Sequence, residues 1–206
     1  MRVALTFDTE HPGRPCRGGV LDLILASLAG ERAPATFFVQ GRWARSSPDQ
    51  ARRIASAGHL IGNHSHHHAR MDSLTEDGFR ADVREAAAAI ELVTGVDPRP
   101  WFRCPFGAGM DDPEVIRRLA ELGYVHVGWD VDPRDWDEGN DAEPVTERVL
   151  EGICGLDDSV VLLHSWPDAT GNALPRILSG LAAEGAELVD VATLGGQAGP
   201  SASIRA

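Results

Sequence analysis

Short apolar runs alternate with longer helical patterns along most of this chain, and that alternation limits its fold more than any other feature. A strand, a helix and a second strand in succession make the two strands parallel, because the helix crosses back over the sheet. The chain has no obvious gap that would mark a reversal in strand order, so we expect an α/β barrel rather than an open sheet. The segments that we predict as strands are 3–7, 35–39, 59–63, 100–104, 124–131, 160–164 and 186–191.

Residues that start and stop helices lie between the predicted strands. Ser73 and Glu76 have the spacing of a capping box, which predicts a helix start ahead of the alanine-rich segment 77–94. No linker or change in composition precedes the last residues, which are small and polar. We therefore expect one domain over residues 1–195 and a flexible tail over residues 196–206.

The charge and the cysteine content argue against several classes of protein. The net charge is −12 and the sequence pI is near 5.0, so the surface would repel nucleic acid and anionic membranes. We expect neither as a partner, and the oligomeric state is left open. Three scattered cysteines fit neither a disulfide framework nor a zinc ribbon. With no apolar signal segment before Asp8, the protein is expected to be cytoplasmic, or secreted if a leader has been removed.

Ionisable side chains directly follow most of the predicted strands. In a barrel of alternating strands and helices, functional side chains gather where the strands end and the next loops begin. We therefore expect these residues to converge at one mouth of the barrel. They are Asp8, Thr9 and Glu10 after the first strand, residues 64–68 after the third, Arg103 at the end of the fourth, Asp132 and Asp135 after the fifth, and His164 at the end of the sixth.

Four histidines within residues 64–68 favour a metal site at this mouth. His64 and His68 are four residues apart, so on a helical turn both imidazoles would project from one face and could bind one ion. A catalytic zinc ion usually has three protein ligands, and Asp8 or Glu10 would complete the set. The other carboxylate could then take a proton from water on the ion. The alternatives are a hydrogen-bonded polar turn for the histidines and a turn-capping role for the carboxylates.

Arg103 and His164 are further candidates for chemistry at this mouth. A guanidinium can hold a carboxylate through a forked pair of hydrogen bonds, so Arg103 could keep Asp8 ionised, and a surface salt bridge is the alternative. A histidine that ends a buried strand can act as a general acid if a carboxylate holds its other nitrogen. Asp135 is the first candidate for that carboxylate and Asp132 the second. The alternative for His164 is a hydrogen-bonded histidine in the core.

A turn and two tryptophans are candidates for contacts with a substrate. The turn at residues 105–107 reads Pro-Phe-Gly and can aim a backbone N–H group into the site, as an oxyanion hole requires. Trp136 and Trp166 could stack on sugar rings, and a place in the core is the alternative for each. These residues add a possible binding surface to the ionisable groups.

Five short segments, in this order, resemble the motifs of one enzyme family. They read TFD at 6–8, HSHHH at 64–68, RCPFG at 103–107, DPRDW at 132–136 and LLH at 162–164. The chain thus resembles the polysaccharide deacetylases, the NodB-homology enzymes of carbohydrate esterase family 4. The resemblance implies a distorted (β/α)7-type barrel that removes N-acetyl groups from amino sugars in chitooligosaccharides or peptidoglycan-like glycans. It also implies a divalent metal ion, zinc in the first place and cobalt or nickel as alternatives.

The resemblance implies a role for each residue that matches a motif. Read position by position, the family pattern assigns a general base and its partner, two metal ligands, a general acid and its tether, and contacts with the acetyl group. These residues are Asp8 with Arg103, His64 and His68, His164 with Asp135, and Phe106 and Leu162. Phe106 would contribute its backbone N–H to the oxyanion, and Leu162 would line the pocket for the acetyl methyl. Trp136 is added as a sugar contact.

The first motif departs from the family pattern. The family usually has Thr-Phe-Asp-Asp, with the second aspartate as third metal ligand, whereas this chain has Thr9 at that position. In a variant of the motif a later carboxylate binds the metal, which makes Glu10 the expected ligand. The alternatives are His11 as ligand, or a site that binds metal poorly and is inactive. Two other functions are therefore kept: a cyclic-imide or ureide amidohydrolase, and a non-catalytic glycan-binding protein built on a disabled deacetylase.

Overall fold

A computed structural model describes residues 1–9 and 19–195. Glu10, His11 and the predicted tail over residues 196–206 lie outside the described residues. Within the described ranges seven strands alternate with helices, as the sequence pattern predicts. The strands are β1 (Arg2–Asp8), β2 (Thr36–Val39), β3 (Leu60–Asn63), β4 (Trp101–Phe102), β5 (Val125–His126), β6 (Asp158–His164) and β7 (Glu187–Val189). The helices are α1 (Val20–Glu31), α2 (Gly41–Ser46), α3 (Pro48–Ser56), α4 (Glu76–Thr94), α5 (Pro113–Glu121), α6 (Ala142–Gly152), α7 (Asp168–Ala183) and α8 (Val191–Gly195).

The strands form one parallel sheet that curls into a distorted barrel, which confirms the predicted fold class. The strand order is β5-β4-β3-β2-β1-β6, and β6 pairs with β1 along its whole length. On its other side, β1 pairs with β7 through its first half and with β2 through its second half. The chain that leaves β5 reaches β6 through a bridge between Val131 and Val161. The Leu162 N–H donates to the Val131 carbonyl at 2.9 Å, so the two ends of the sheet meet at this seam.

Strand β1 is buried on both faces, as expected for a central parallel strand with an unbroken apolar sequence. Its odd-numbered residues pack between the sheet and the helices, where the Phe7 ring stacks on Phe37 with centroids 4.9 Å apart. Ala4 packs into a separate apolar cluster on the opposite face. Side chains alternate along a strand, so Thr6 and Asp8 share the face of Ala4. This alternation puts a carboxylate at the carboxyl end of β1, on the inner face of the barrel.

Helix α4 starts differently from the prediction. Thr75 is the N-cap residue, and its hydroxyl accepts a hydrogen bond from the Gly78 N–H at 3.2 Å. Ser73 belongs instead to a short 3-10 turn that precedes the cap. The predicted capping box between Ser73 and Glu76 is therefore wrong, because the extended backbone needed at a cap occurs at Thr75. None of the helices in the described part of the chain is both long and apolar enough to cross a lipid bilayer.

Candidate active site

A buried ion pair joins opposite sides of the barrel interior. Asp8 ends β1, and Arg103 follows β4 with a side chain that is fully buried. The Arg103 Nη1 donates to Asp8 Oδ1 at 2.9 Å and to Thr6 Oγ1 at 2.8 Å. Its Nε and Nη2 donate to the backbone carbonyls of residues 127 and 128 at 3.2 and 3.0 Å. The guanidinium also lies over the Phe38 ring, 4.1 Å from its centroid, so Arg103 is fixed on every side.

The surroundings of Asp8 keep its carboxyl group ionised. Burial by itself would raise the pKa of Asp8, because a charged carboxylate loses its hydration inside the protein. The positive guanidinium of Arg103 opposes this, with further contributions from His64 and His164, and the resulting pKa lies below its usual value. Asp8 is therefore an anion at neutral pH, with one oxygen held by Arg103. Its other oxygen, Oδ2, lies 3.5 Å from His64 Nε2.

His64 and His68 bring two ring nitrogens together beside Asp8. The His64 Nδ1 donates to the Arg103 carbonyl at 3.0 Å, so in the neutral ring Nε2 carries the lone pair. This Nε2 lies 3.1 Å from the Nε2 of His68. The expected helical turn is wrong, because Ser65 and His68 adopt left-handed backbone angles, with φ of 63° and 56°. The loop nevertheless folds back and places both imidazoles at one point.

Asp82 holds this histidine loop in place. It is a buried residue of α4 that accepts hydrogen bonds from the backbone N–H groups of His66 and His67 at 2.8 and 3.0 Å. Its Oδ1 also pairs with His67 Nδ1 at 2.8 Å. Asp82 was not among the residues predicted from the sequence. Asp82 lies on the buried side of an amphipathic helix, between Phe79 and Val83, where a carboxylate needs partners. An acidic residue in such an apolar stripe could have identified it.

His66, His67 and Glu85 form a second group of potential metal ligands, with donor atoms within 4.8 Å of one another. The geometry is less favourable than that of His64 and His68. The Nε2 of His66 is 3.9 Å from Glu85 Oε2, and a metal on this Nε2 would leave the proton on Nδ1. That Nδ1 is buried, and it has no hydrogen-bond partner among the residues that the structure describes. His66, His67 and Glu85 therefore form a competing location for a metal ion, which mutation of His67 can distinguish from the His64–His68 pair.

His164 pairs with Asp135 on the other side of the cavity. His164 ends β6, and its Nδ1 lies 2.7 Å from Asp135 Oδ1. Asp135 Oδ2 accepts the His164 backbone N–H at 2.7 Å and the Thr170 hydroxyl at 2.5 Å. Asp132, the second candidate for this contact, is exposed and accepts the Arg134 N–H instead. Thr170 was not among the predicted residues, because it lies in α7, outside the motifs.

A cavity of about 480 Å³ joins these groups. Leu162 lies in its wall and is buried, whereas Phe106 and Trp136 are 66% and 40% exposed. The Phe106 ring contacts the His68 ring edge to face, with centroids 4.4 Å apart, and its backbone is left-handed with φ of 59°. The structure thus brings most of the predicted residues that it describes to one cavity, while Arg103 and Asp135 lie behind Asp8 and His164, the residues that they hold. The lining of the cavity comprises Asp8, His64, His68, Cys104, Phe106, Trp129, Asp132, Trp136, Leu162, His164 and Trp166.

Thr9 does not offer its side chain to this cavity. It is fully buried, and its hydroxyl accepts the Gln40 N–H at 2.9 Å, while its own N–H continues the ladder to the Phe38 carbonyl at 3.0 Å. The position of the usual family aspartate therefore has a structural role in this chain. Glu10 and His11, the two alternatives for a third ligand, lie outside the described residues.

Comparison with known proteins identifies the family. The family model described as polysaccharide deacetylase matches residues 1–127, which is more than half of the chain. A chitooligosaccharide deacetylase of Rhizobium leguminosarum bv. trifolii is 31% identical over 174 residues, which cover 82% of this chain and 75% of the relative. A peptidoglycan-N-acetylglucosamine deacetylase of Bacillus cereus is 31% identical over 196 residues, which cover 93% of this chain and 67% of the relative.

Solved structures extend the similarity to the fold. The structure of a CE4 family pseudoenzyme from Bacillus anthracis has a TM-score of 0.83 to this chain at 27% identity. The match covers 94% of this chain and 64% of that one, so this chain spans about two thirds of that structure's length. Because the matched family model includes the TFD, HSHHH and RCPFG segments, sequence and fold agree. The chain belongs to the polysaccharide deacetylase family.

Proposed function

We propose that this protein is a metal-dependent N-deacetylase that hydrolyses the acetamide of an amino sugar in a chitooligosaccharide or a peptidoglycan-like glycan. One observation carries the proposal. A buried, ionised carboxylate, two converging imidazoles and a third imidazole that Asp135 holds line the same cavity. Amide hydrolysis needs a base for water, stabilisation of an oxyanion and an acid for the departing amine. The carboxylate can be the base and the third imidazole the acid, and a metal ion held by the two converging imidazoles would stabilise the oxyanion.

The residues of the cavity fit a divalent metal ion. Tetrahedral zinc with bonds of about 2.05 Å to nitrogen separates two ligand atoms by about 3.3 Å. The two Nε2 atoms of His64 and His68 are 3.1 Å apart, and the lone pair on His64 Nε2 faces the space between them. When bound, the ion would acidify water and polarise the acetamide carbonyl. Zinc is our first expectation and cobalt or nickel the next, with Glu10 or His11 as third ligand.

Asp8 is the proposed general base. Arg103 binds its Oδ1, which leaves Oδ2 directed towards the histidine pair at 3.5 Å. The lowered pKa of Asp8 keeps this oxygen unprotonated at neutral pH, so it can accept a proton from the attacking water. Arg103 thus orients the base and keeps it ionised. The carbonyl oxygen of the acetamide becomes negative during the attack, and the Phe106 backbone N–H is the proposed donor to it.

His164 is the proposed general acid. Its Nδ1 is held by Asp135, so the opposite nitrogen, Nε2, is the one that can give a proton to the departing amine. Leu162 would contact the acetyl methyl group, and the exposed Trp136 would stack on a sugar ring at the rim. The net charge of −12 suits a neutral glycan better than an anionic one.

Acetate release from a panel of N-acetylated oligosaccharides tests this function. We expect release by the zinc-loaded wild type and a loss of at least about 1000-fold in kcat for Asp8→Asn. Asp49→Asn is the matched control, because Asp49 is highly exposed on α3 and far from the chemistry, and it should retain full activity. An Asp8→Asn variant as active as the control would eliminate the mechanism. Ring opening of small imides without acetate release would favour the amidohydrolase alternative.

The location of the metal needs its own measurement. We expect one equivalent of zinc by elemental analysis, with weaker binding in His64→Ala and His68→Ala. His67→Ala is the matched control from the same loop, and it should keep the zinc. Loss of zinc in His67→Ala alone would instead place the ion at His66, His67 and Glu85. Glu10→Ala and His11→Ala then identify the third ligand, since only one of them should weaken zinc binding.

A non-catalytic glycan-binding protein is the second candidate. Two observations favour it: the similarity to a CE4 family pseudoenzyme, and the structural use of Thr9 at the position of the usual metal ligand. Oligosaccharide binding without acetate release, in protein that takes up less than stoichiometric zinc, would establish this function instead.

A further inference from the structure

We propose that Thr170 is a positioning residue for the general acid, acting on His164 through Asp135. The inference rests on the proposed deacetylase function. Thr170 is fully buried in the first turn of α7, and its hydroxyl donates to Asp135 Oδ2 at 2.5 Å. No residue of the five sequence motifs lies in this helix, so the contact adds a third element to the histidine–aspartate pair.

The hydrogen bonds of Asp135 show why its second oxygen matters. Oδ1 pairs with His164 Nδ1 at 2.7 Å, whereas Oδ2 accepts both the His164 backbone N–H at 2.7 Å and the Thr170 hydroxyl. The carboxylate side chain is fully buried, so water cannot replace a missing donor. Hydrogen bonds from hydroxyl groups to carboxylates are short and strong, and that of Thr170 is at the short end of the usual range. Thr170 thereby limits rotation of the carboxylate that orients the imidazole.

Three other hydroxyl groups in the longer helices of this protein bond within their own helix. Ser27, Thr94 and Thr146 each donate to the backbone carbonyl four residues earlier in their own helix, at 2.7 Å. That local bond is the common choice for a hydroxyl group within a helix. Thr170 instead donates across to the loop that carries Asp135. This difference within one chain indicates a specific role for the Thr170 hydroxyl.

A residue that orients the general acid should affect only substrates whose leaving group has to be protonated. The departing amine of an acetamide has to be protonated, whereas 4-nitrophenolate leaves 4-nitrophenyl acetate without a proton. Attack on both substrates depends on the same base and metal. Damage to the acid alone therefore slows the acetamide and spares the aryl ester, while general damage to the fold slows both.

The test compares Thr170→Val with Thr170→Ser, which restores the hydroxyl. We expect Thr170→Val to lower kcat for the acetamide by about 10- to 100-fold, with KM unchanged and aryl ester turnover within about threefold of wild type. Thr170→Ser should recover most of the lost kcat. Thr146→Val removes a helical hydroxyl that bonds only within α6, and it should match wild type on both substrates. Equal losses on both substrates, or no loss in Thr170→Val, would refute the positioning role.

A second readout does not depend on deacetylation. In ¹⁵N-histidine-labelled protein, the Nδ1 proton of His164 should exchange with solvent at least about tenfold faster in Thr170→Val than in wild type or Thr170→Ser, because its acceptor is less firmly held. Equal exchange rates would contradict the inference. If the wild type releases no acetate, the proposed function fails, and the exchange experiment still decides whether Thr170 orders the pair.

Discussion

Replacing Arg103 with methionine should destabilise the protein far more than an ordinary loss of a salt bridge. Methionine fills a similar volume without the charge, and it leaves the buried carboxylate of Asp8 without its main partner. Removing one member of a fully buried pair costs about 3–5 kcal/mol, because the remaining charge has neither water nor a counterion. We expect a loss of that size in the free energy of unfolding at pH 7.

A second ion pair that begins in the same strand gives the matched control. Arg2 donates to Asp158 at 2.8 and 2.6 Å, but the two side chains are 24% and 31% exposed. Solvent screens such a pair, so Arg2→Met should cost no more than about 1 kcal/mol. Burial, rather than hydrogen-bond length, therefore accounts for the expected difference between the two variants.

Urea denaturation measures these free energies of unfolding, and EDTA in the buffer removes any contribution from a bound metal ion. Asp8→Asn in the Arg103→Met background should recover about 1–2 kcal/mol, because it removes the unpaired charge. The penalty of Arg103→Met should also shrink as the pH falls towards 4. Without Arg103, burial raises the pKa of Asp8 above its unfolded value, and protonation then relieves the folded state. A cost no larger than that of Arg2→Met, or strict additivity of the two substitutions, would refute the reasoning.

Three other perturbations test the rest of the structure. Burial, with the nearby Arg103, lowers the pKa of His126 to about 4, so the unfolded chain takes up a proton first as the pH falls below 6.5. Stability should therefore drop by about 2 kcal/mol between pH 7 and pH 5, and urea curves for His126→Gln should lack this part of the slope. Gly41→Ala would place its Cβ 2.4 Å from His66 Nδ1 and 2.7 Å from Ala86 Cα, and it should cost about 1–3 kcal/mol by thermal unfolding. Gly30→Ala, which meets nothing within 4 Å in a helix, should instead stabilise by up to about 1 kcal/mol. Trp136→Ala should raise KM for an oligosaccharide by about tenfold with little change in kcat, and an unchanged KM would remove Trp136 from the sugar site.

The sequence was most informative where one local rule decides the outcome. The apolar runs at 3–7 and 160–164 predicted buried strands, and both lie within β1 and β6, which have seven residues each. The alternation of strands and helices predicted the parallel barrel, since crossover helices leave few other arrangements. The positions just after the strands predicted which ionisable side chains meet, because parallel strands end at the same edge.

Contacts between distant segments could not be predicted in the same way. The segment 124–131 was expected as one strand, but β5 has only two residues before the chain turns to reach β6 at Val131. The course of the chain from β5 to Val131 depends on the contacts with β6 that close the barrel, and no local sequence pattern encodes such contacts. Asp82 supports the histidine loop from a helix, 16 and 15 residues beyond His66 and His67. Thr170 supports the acid from another helix, 6 residues beyond His164. A buried polar residue on the apolar side of a helix is the signal that each left.

Thr9 links the departure in the first motif to the geometry of β1. Side chains alternate along a strand, so a residue directly after Asp8 turns away from the face on which Asp8 and Thr6 bind Arg103. Thr9 follows this rule, because its N–H extends the ladder to Phe38 and its hydroxyl serves Gln40. The Thr9 side chain is thus engaged with Gln40 and contributes no ligand atom to the histidine pair. We therefore propose that the third ligand follows β1, and the zinc affinities of Glu10→Ala and His11→Ala test whether either residue supplies it, while acetate release distinguishes a working deacetylase from a disabled one.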